Sequence, residues 1–341
     1  MNAPDLAIVV VNWNVRDLVI ASLGSARTAI DSANLDGEIW VVDNASSDGS
    51  VRVLQEWFRD IRLIPSPINL GFGGGNNLAL RAMGFAETPV SPAIRVNGSE
   101  MHIGEEHLAI GERRPLPRYV LFLNPDTVVR PDALGELVQF MDRHPRAGVC
   151  SPRLVYEDGR FQHSAYRFPS LLQAFFDFWP LNWRLTESFL NGRYSRRRYE
   201  DGAPFPIDHP LGAAMLFSRQ AIEQTGGFDL AYHMYVEEID WCMRVKRAGW
   251  EIFCVPGAEI VHYEGQSTRQ VRPQMVVALW RSRYILFEKH YSTLYRFAVR
   301  QIVRAGMRAQ IRRARDALQQ GKLDAADASA LIEAYRQVIQ M

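Results

Sequence analysis

Three apolar runs, each stopped by a side chain with a polar or charged head, constrain this chain more than any other feature. Leu6–Val11 (LAIVVV) runs into Asn12, Glu38–Val42 (EIWVV) into Asp43, and Tyr119–Leu123 (YVLFL) into Asn124-Pro125-Asp126. Continuous Val- and Ile-rich runs without alternation suit strands buried on both faces of a sheet. Between them the spacing predicts helices over 16–33, from Asp48 or Ser50 to Arg59, over Asn76–Phe85 and over Pro131–Arg143, with a short strand at Arg62–Pro65. Strands alternating with helices predict right-handed βαβ units, hence an α/β fold on a mostly parallel sheet. Ligands of such sheets bind beyond the carboxyl ends of the strands, which makes the residues that stop the runs the first candidates for a site.

Composition narrows the class. Of 341 residues 47% are hydrophobic and 23% charged, enough apolar material for a buried core and too much for a disordered chain. With 39 basic and 38 acidic residues the formal net charge is +1, so no whole-protein field draws the chain onto nucleic acid. Cys150, Cys242 and Cys254 fit neither a disulfide framework nor zinc-ligand spacing. The opening MNAPDLAIVVVNWN has no basic start, and no apolar stretch reaches the length of a bilayer span. These features predict a cytoplasmic protein. Residues 88–118, with Pro89, Pro92, Pro115 and Pro117 and no clear period, read as a surface insertion, within which Asn97-Gly98-Ser99 is a turn.

The second half is less regular. Strands are expected at Ala147–Leu154, Ala214–Phe217, Ile252–Val255 and Glu259–His262, and a helix at Val236–Ala248 closed by Gly249. Leu171–Phe189 is rich in aromatics, including Trp183; Arg193–Arg198 reads as a basic loop. From Pro273 the chain is helical to its end, with a break near Gly321. The expected division is a catalytic domain over 1–268 and a helical region over 269–341.

Carboxylates fall just past predicted strands at Asp43, at Asp126 and in the Glu237/Glu238/Asp240 cluster. One alone is a cap or a turn residue; several in the same topological place can bind a ribose, hold a divalent ion or act as a base. The glycines of Gly71–Gly75 do not make a dinucleotide fingerprint, which requires them directly after the first strand, where Asn12-Trp13-Asn14 stands. They allow close approach of backbone to a ligand instead.

In sequence order these segments resemble the family-2 glycosyltransferases of the GT-A fold, and within them the bacterial rhamnosyltransferase-like branch. The matching segments are VVVNWN (Val9–Asn14), VVDNASSDGS (Val41–Ser50), NLGFGGGNN (Asn69–Asn77), LFLNPD (Leu121–Asp126), GAAML (Gly212–Leu216), GGFD (Gly226–Asp229), EEIDWCMR (Glu237–Arg244) and Val261-His262. The resemblance implies inverting transfer of a sugar from a nucleoside diphosphate donor, dTDP-rhamnose before UDP-sugars, to a saccharide or polyprenyl-diphosphate-linked acceptor in cell-envelope polysaccharide synthesis. It implies Asp126 and His262 as ligands of Mg²⁺ or Mn²⁺, with Asn124 where a fuller motif carries an acid. Asp43, with Asn12, Asn14, Asn69 and the backbone at Val11, would hold the base and ribose, and Gly73 and Asn77 would lie against the nucleotide. Glu238 stands where the family places its base; Asp240 is the alternative, followed by Glu237. Asp240 also precedes Arg244 by four residues, the spacing of a helical ion pair. Gly212, Asp229, Glu237 and Trp241 would border the donor sugar or acceptor.

From Lys289 to Arg315 the chain carries one Lys, seven Arg and no acid, with Tyr295, Val299, Ile302, Val303, Met307 and Ile311 on a second, apolar face. Two readings stand: an amphipathic helix on an anionic membrane at the inner face of the cell membrane, or a helix packed on the protein with its basic face solvated. Nucleic acid finds no matching motif. Outside this class, a nucleotidyltransferase would need a basic glycine-rich loop after the first strand, and a non-catalytic sugar-nucleotide-binding protein would keep the fold without turnover.

Overall fold

The computed structural model describes residues 3–86, 88, 94–96, 99–101, 115–180, 188–232, 234–263 and 272–341. The expected boundary at 268, Trp183, the Asn97-Gly98 turn and most of the 88–118 insertion lie outside them. Two compact units are formed, one from Met1–Ala165, Arg196–Leu230 and Glu238–Ser267, the other from Tyr166–Ser195, Ala231–Glu237 and Thr268–Met341.

The first unit begins β1 (Leu6–Asn12), α1 (Arg16–Ser32), β2 (Gly37–Asn44), α2 (Ser50–Trp57), β3 (Arg62–Ser66) and α3 (Gly71–Met83). A small antiparallel hairpin, β4 (Ile94–Val96) with β5 (Ser99–Met101), falls within the insertion. Then come β6 (Tyr119–Leu123), β7 (Thr127–Val129), α4 (Ala133–Arg143), β8 (Ala147–Val155), β9 (Phe161–Gln162) and β10 (Ala165–Tyr166), which ends this stretch. After α5 (Leu171–Phe176), which belongs to the second unit, follow α6 (Arg196–Glu200), β11 (Phe205–Pro206), β12 (His209–Pro210), β13 (Ala214–Ser218) and α7 (Arg219–Thr225). The unit closes with α8 (Glu237–Arg247) and β14 (Glu251–His262).

The main sheet runs β11-β14-β8-β13-β6-β1-β2-β3. β6, β1, β2 and β3 are mutually parallel, as are β8 and β14, while β13 is antiparallel to both β6 and β8. The chain is therefore α/β with a mostly parallel sheet, in which β13 runs antiparallel in the interior and β11, β7 and β9 pair antiparallel with β14 or β8. Because β13 runs backwards, its start lies at the same edge as the carboxyl ends of β1, β2, β6, β8 and β14. Every apolar run identified above is buried: Ile8, Val10, Val41, Leu121 and Leu123 join Leu23, Leu54 and Leu137 of the helices in one core.

Local differences from expectation have physical causes. α3 starts at Gly71, so the glycines form its first turn instead of preceding it. Gly71 takes φ +72°, and a Cβ on Gly75 would lie 2.8 Å from Val11 Cγ1, so the helix packs onto β1 at Gly75 only because that residue has no side chain. The basic loop is partly helix α6, held by an Arg196–Glu200 pair at 2.8 Å. The two last strands are one, β14, with a register shift between Val255 and Glu259 against β8. Gly249 closes α8 at φ +91°, as its position predicts.

The second unit is built from α5, α9 (Arg272–His290), α10 (Thr293–Gln319) and α11 (Ala325–Gln340), so the chain breaks at 291–292 as well as near Gly321. Ser292 makes the first break, its Oγ capping α10 at the Tyr295 N–H. Phe178 stacks on Trp280 with ring centres 5.5 Å apart, amid Val299, Val303, Met307 and Val338. The apolar face of α10 is thus consumed in this core, which is the packed-helix reading; insertion of Val299, Val303 and Met307 into a membrane is excluded.

Candidate active site

Register alone juxtaposes the first two candidates. Asn12 and Asp43 are paired positions at the ends of β1 and β2, both buried, and Asn12 Nδ2 donates to Asp43 Oδ2 at 2.8 Å. The other carboxylate oxygen accepts from the Ser46 N–H at 2.8 Å. Asn12 Oδ1 is buried with no hydrogen-bond partner among the described residues, an acceptor available to a donor from outside the chain. Asn14, at φ +54°, accepts from the Ser47 N–H at 2.7 Å and joins the loops after β1 and β2. Asp48 accepts from Ser50; burial opposes its ionisation, but the Ser50 hydroxyl and N–H hold its carboxyl below the usual range.

Asn69, Gly73 and Asn77 have structural employment. Asn69 Oδ1 accepts from the Gly71 N–H at 2.8 Å and forms the turn into α3. A Cβ on Gly73 would lie 3.1 Å from Phe228 Cβ. Asn77 donates to Phe228 O at 2.8 Å and accepts its N–H at 2.9 Å. Gly73 and Asn77, expected against the nucleotide, are instead turned onto the Gly226–Asp229 loop. Asp229 is half-buried at the end of this clamped loop.

The second cluster is set by strand pairing too. His262 pairs with Thr127 across β14 and β7, and the Tyr263 N–H donates to Asp126 O at 2.9 Å. Both side chains are buried, with His262 Nε2 3.6 Å from Asp126 Oδ1. His262 Nδ1 lies 3.2 Å from Gln162 Oε1. An amide oxygen only accepts, so Nδ1 donates in this contact and Nε2 is the ring nitrogen turned towards Asp126. Gln162, on the two-residue strand β9, gave no signal in the sequence. Among the described residues no group of three or more His, Cys, Asp or Glu gathers as a metal site. One carboxylate and one imidazole still fit a hard cation that takes its other ligands from phosphate oxygens and water.

The third cluster is joined to the second by backbone. Asn124 N–H donates to Ala213 O at 2.9 Å, and Glu238 lies beside neighbouring Gly212, its Cγ 3.6 Å from where a Cβ would stand, an ordinary van der Waals contact. Burial pushes the Glu238 carboxyl up to about 7, the range of a working general base. The alternative, Asp240, faces elsewhere: it is fully buried in an ion pair with Arg244 at 2.8 Å. Arg244 also donates to Thr225 O and, at 2.7 Å, to Gly227 O. Trp241, expected at the sugar or acceptor, is a core residue packed on Phe122, Phe217 and Phe228, with its indole N–H on Thr225 Oγ1 at 2.8 Å. Glu237 is buried at the first residue of α8.

A mixed α/β sheet with polar and acidic groups gathered at the edge where its parallel strands end is the architecture of the GT-A fold. The chain belongs to the glycosyltransferases: the profile described as "Glycosyltransferase like family 2" matches residues 4–277. It is similar to N-acetylglucosaminyl-diphospho-decaprenol L-rhamnosyltransferase of Mycobacterium tuberculosis (29% identity over 274 residues, 79% of this chain and 80% of the relative). It is also similar to rhamnosyltransferase WbbL of Escherichia coli strain K12 (28% over 155 residues, 44% and 54% of the two chains). The solved mannosyltransferase PcManGT of Pyrobaculum calidifontis, in complex with GDP-Man and Mn²⁺, shares the fold with a TM-score of 0.53 at 16% identity, covering 100% of this chain and 84% of that one. Family membership sets the nucleotidyltransferase reading aside. Among the described residues no helix is long and apolar enough to cross a membrane.

Proposed function

We propose that the chain is an inverting rhamnosyltransferase that carries rhamnose from dTDP-rhamnose to a polyprenyl-diphosphate-linked saccharide in cell-envelope polysaccharide synthesis. The observation that carries the catalytic part is Glu238, a carboxyl with affinity for a proton near neutrality, set across Gly212 at the edge that holds Asp126 and His262. Rhamnose as the transferred sugar follows the names of two relatives, the polyprenyl-diphosphate acceptor the name of one, and the dTDP carrier follows the family resemblance of the sequence motifs.

In this reading the acceptor oxygen attacks the anomeric carbon from the face opposite the diphosphate and its proton passes to Glu238 as the bond to the leaving oxygen breaks. Asp126 and His262 would hold Mg²⁺ or Mn²⁺. That ion supplies Lewis-acid neutralisation of the diphosphate charge when bound. Gln162 would orient the His262 ring with Nε2 towards Asp126. Asp43 and the unpartnered Asn12 Oδ1 present acceptors to the imide N–H of thymine.

The test is nucleoside diphosphate release from dTDP-rhamnose, UDP-sugars and GDP-mannose, with a lipid-linked acceptor, in Mn²⁺ or Mg²⁺ and in EDTA. Turnover confined to dTDP-rhamnose and abolished by EDTA and by Asp126→Ala is the expected result. Full turnover by Asp126→Ala would remove the metal site, preference for another donor would replace rhamnose, and donor binding without turnover on any acceptor would favour a non-catalytic protein.

A further inference from the structure

The basic segment keeps one face that its packing does not use. Along α10, positions 294, 297, 301, 304, 308, 312 and 315 recur at the helical period and form a single stripe. Leu294 and Phe297, at its start, are 77% and 62% exposed. Gln301, Arg308, Arg312 and Arg315 are exposed and Arg304 partly so. The opposite side holds Val299, Val303, Gly306 and Met307 in the core, so the stripe faces outward.

The charges on it are not spent within the protein. Arg300 pairs with Glu288 at 2.9 Å and Arg313 donates to Phe178 O at 3.2 Å, both off the stripe. Among the described residues, Arg304, Arg308, Arg312 and Arg315 have no ion pair, and α10 contains a single acid, Asp316. The stripe therefore joins two large apolar side chains to a row of four unneutralised guanidinium groups.

We propose that this face docks on an anionic phospholipid bilayer. Such a surface satisfies both halves of the stripe: lipid phosphates receive the guanidinium groups, and the headgroup–acyl boundary takes Leu294 and Phe297. A nucleic acid would answer only the charges and leave Leu294 and Phe297 in water. The inference rests on α10 alone and does not depend on the transferase reading; vesicle binding requires no catalytic step.

The full chain is floated with phosphatidylcholine vesicles, with and without phosphatidylglycerol. The wild type is expected to bind only the anionic vesicles. The double variant R308E/R312E should lose about thirty-fold or more in partitioning, and L294S/F297S about tenfold or more. R197E, a charge reversal at an exposed site outside α10, should bind as wild type. A fluorophore on F297C, in a chain whose three native cysteines are buried, should shift to the blue on anionic vesicles, a readout that holds even if a double variant fails to fold. Equal binding to neutral vesicles, no binding at all, an equal loss in R197E or an unshifted fluorophore would overturn the proposal. So would retained binding of L294S/F297S alongside loss in R308E/R312E, the pattern of a general polyanion site.

Discussion

Gln162 Oε1 and His262 Nδ1 stand 3.2 Å apart on strands widely separated in the chain, and His262 Nε2 faces Asp126 Oδ1 at 3.6 Å. The amide orients the ring for whatever Asp126 helps to hold. Gln162→Ala should weaken Mn²⁺ binding to the complex with nucleoside diphosphate by about ten- to a hundred-fold, the usual effect of removing a partner that orients a metal ligand. Titration calorimetry with Mn²⁺ reads this without turnover, and unchanged affinity would show the contact to be packing only.

Glu238 sets a pH dependence. In the proposed role of base it must be ionised, so kcat/KM for transfer should rise with pH and level off above about 7. Glu238→Gln should lose transfer while retaining donor binding. Stability runs the other way. The folded carboxyl lies above its ordinary value of 4.5, so between about 4.5 and 7 the folded state holds more proton than the unfolded. Its contribution is full at low pH and is lost as pH rises through 7, so thermal melting of Glu238→Gln should lack that decline.

Arg244 and Asp240 separate structure from chemistry within α8. Removing the guanidinium takes the ion-pair partner from a fully buried carboxylate and frees the Thr225 and Gly227 carbonyls. Arg244→Met should therefore cost about 3–5 kcal/mol in denaturant unfolding. Asp240→Asn should destabilise less and leave some transfer activity, whereas abolished transfer in a folded Asp240→Asn would move the base there.

Gly75 tests how closely α3 lies on β1. The added methyl of Gly75→Ala would press on Val11 Cγ1 at 2.8 Å, and about 1–3 kcal/mol of destabilisation is expected from such overpacking. Gly24, with nothing within 4 Å of its missing Cβ, is the control: Gly24→Ala in the interior of α1 should be neutral or slightly stabilising.

Strand ends were the most legible part of the sequence, because burial on both faces admits few polar residues and the first one marks the edge. Asn12, Asp43 and His262 stand at strand ends, and Asp126 just past one, where that rule places the first polar residues. What the sequence concealed depends on tertiary contact. Asn77 and Gly73 sit in a motif that suggests ligand binding, yet their partner is the Phe228 loop, which is distant in the chain. Trp241 stands among acids but faces Phe122 and Phe217. Gln162 lies on a strand too short to leave a periodic trace, and its partner is fixed only once β14 and β8 are paired.

Tyr235 and Val236 both take left-handed φ values, +71° and +61°, directly before the helix that carries Glu238. A β-branched residue there stores strain of about 1–3 kcal/mol. The restraints come from α9: Ser282 Oγ donates to Met234 O at 2.7 Å and Tyr235 Oη to Met275 Sδ at 3.1 Å. The C-terminal helices are thus no detachable tail. A chimaera that exchanged them between relatives at a cut after β14 would leave this hinge-like pair unbraced, and a working graft would have to carry residues 231–237 with it.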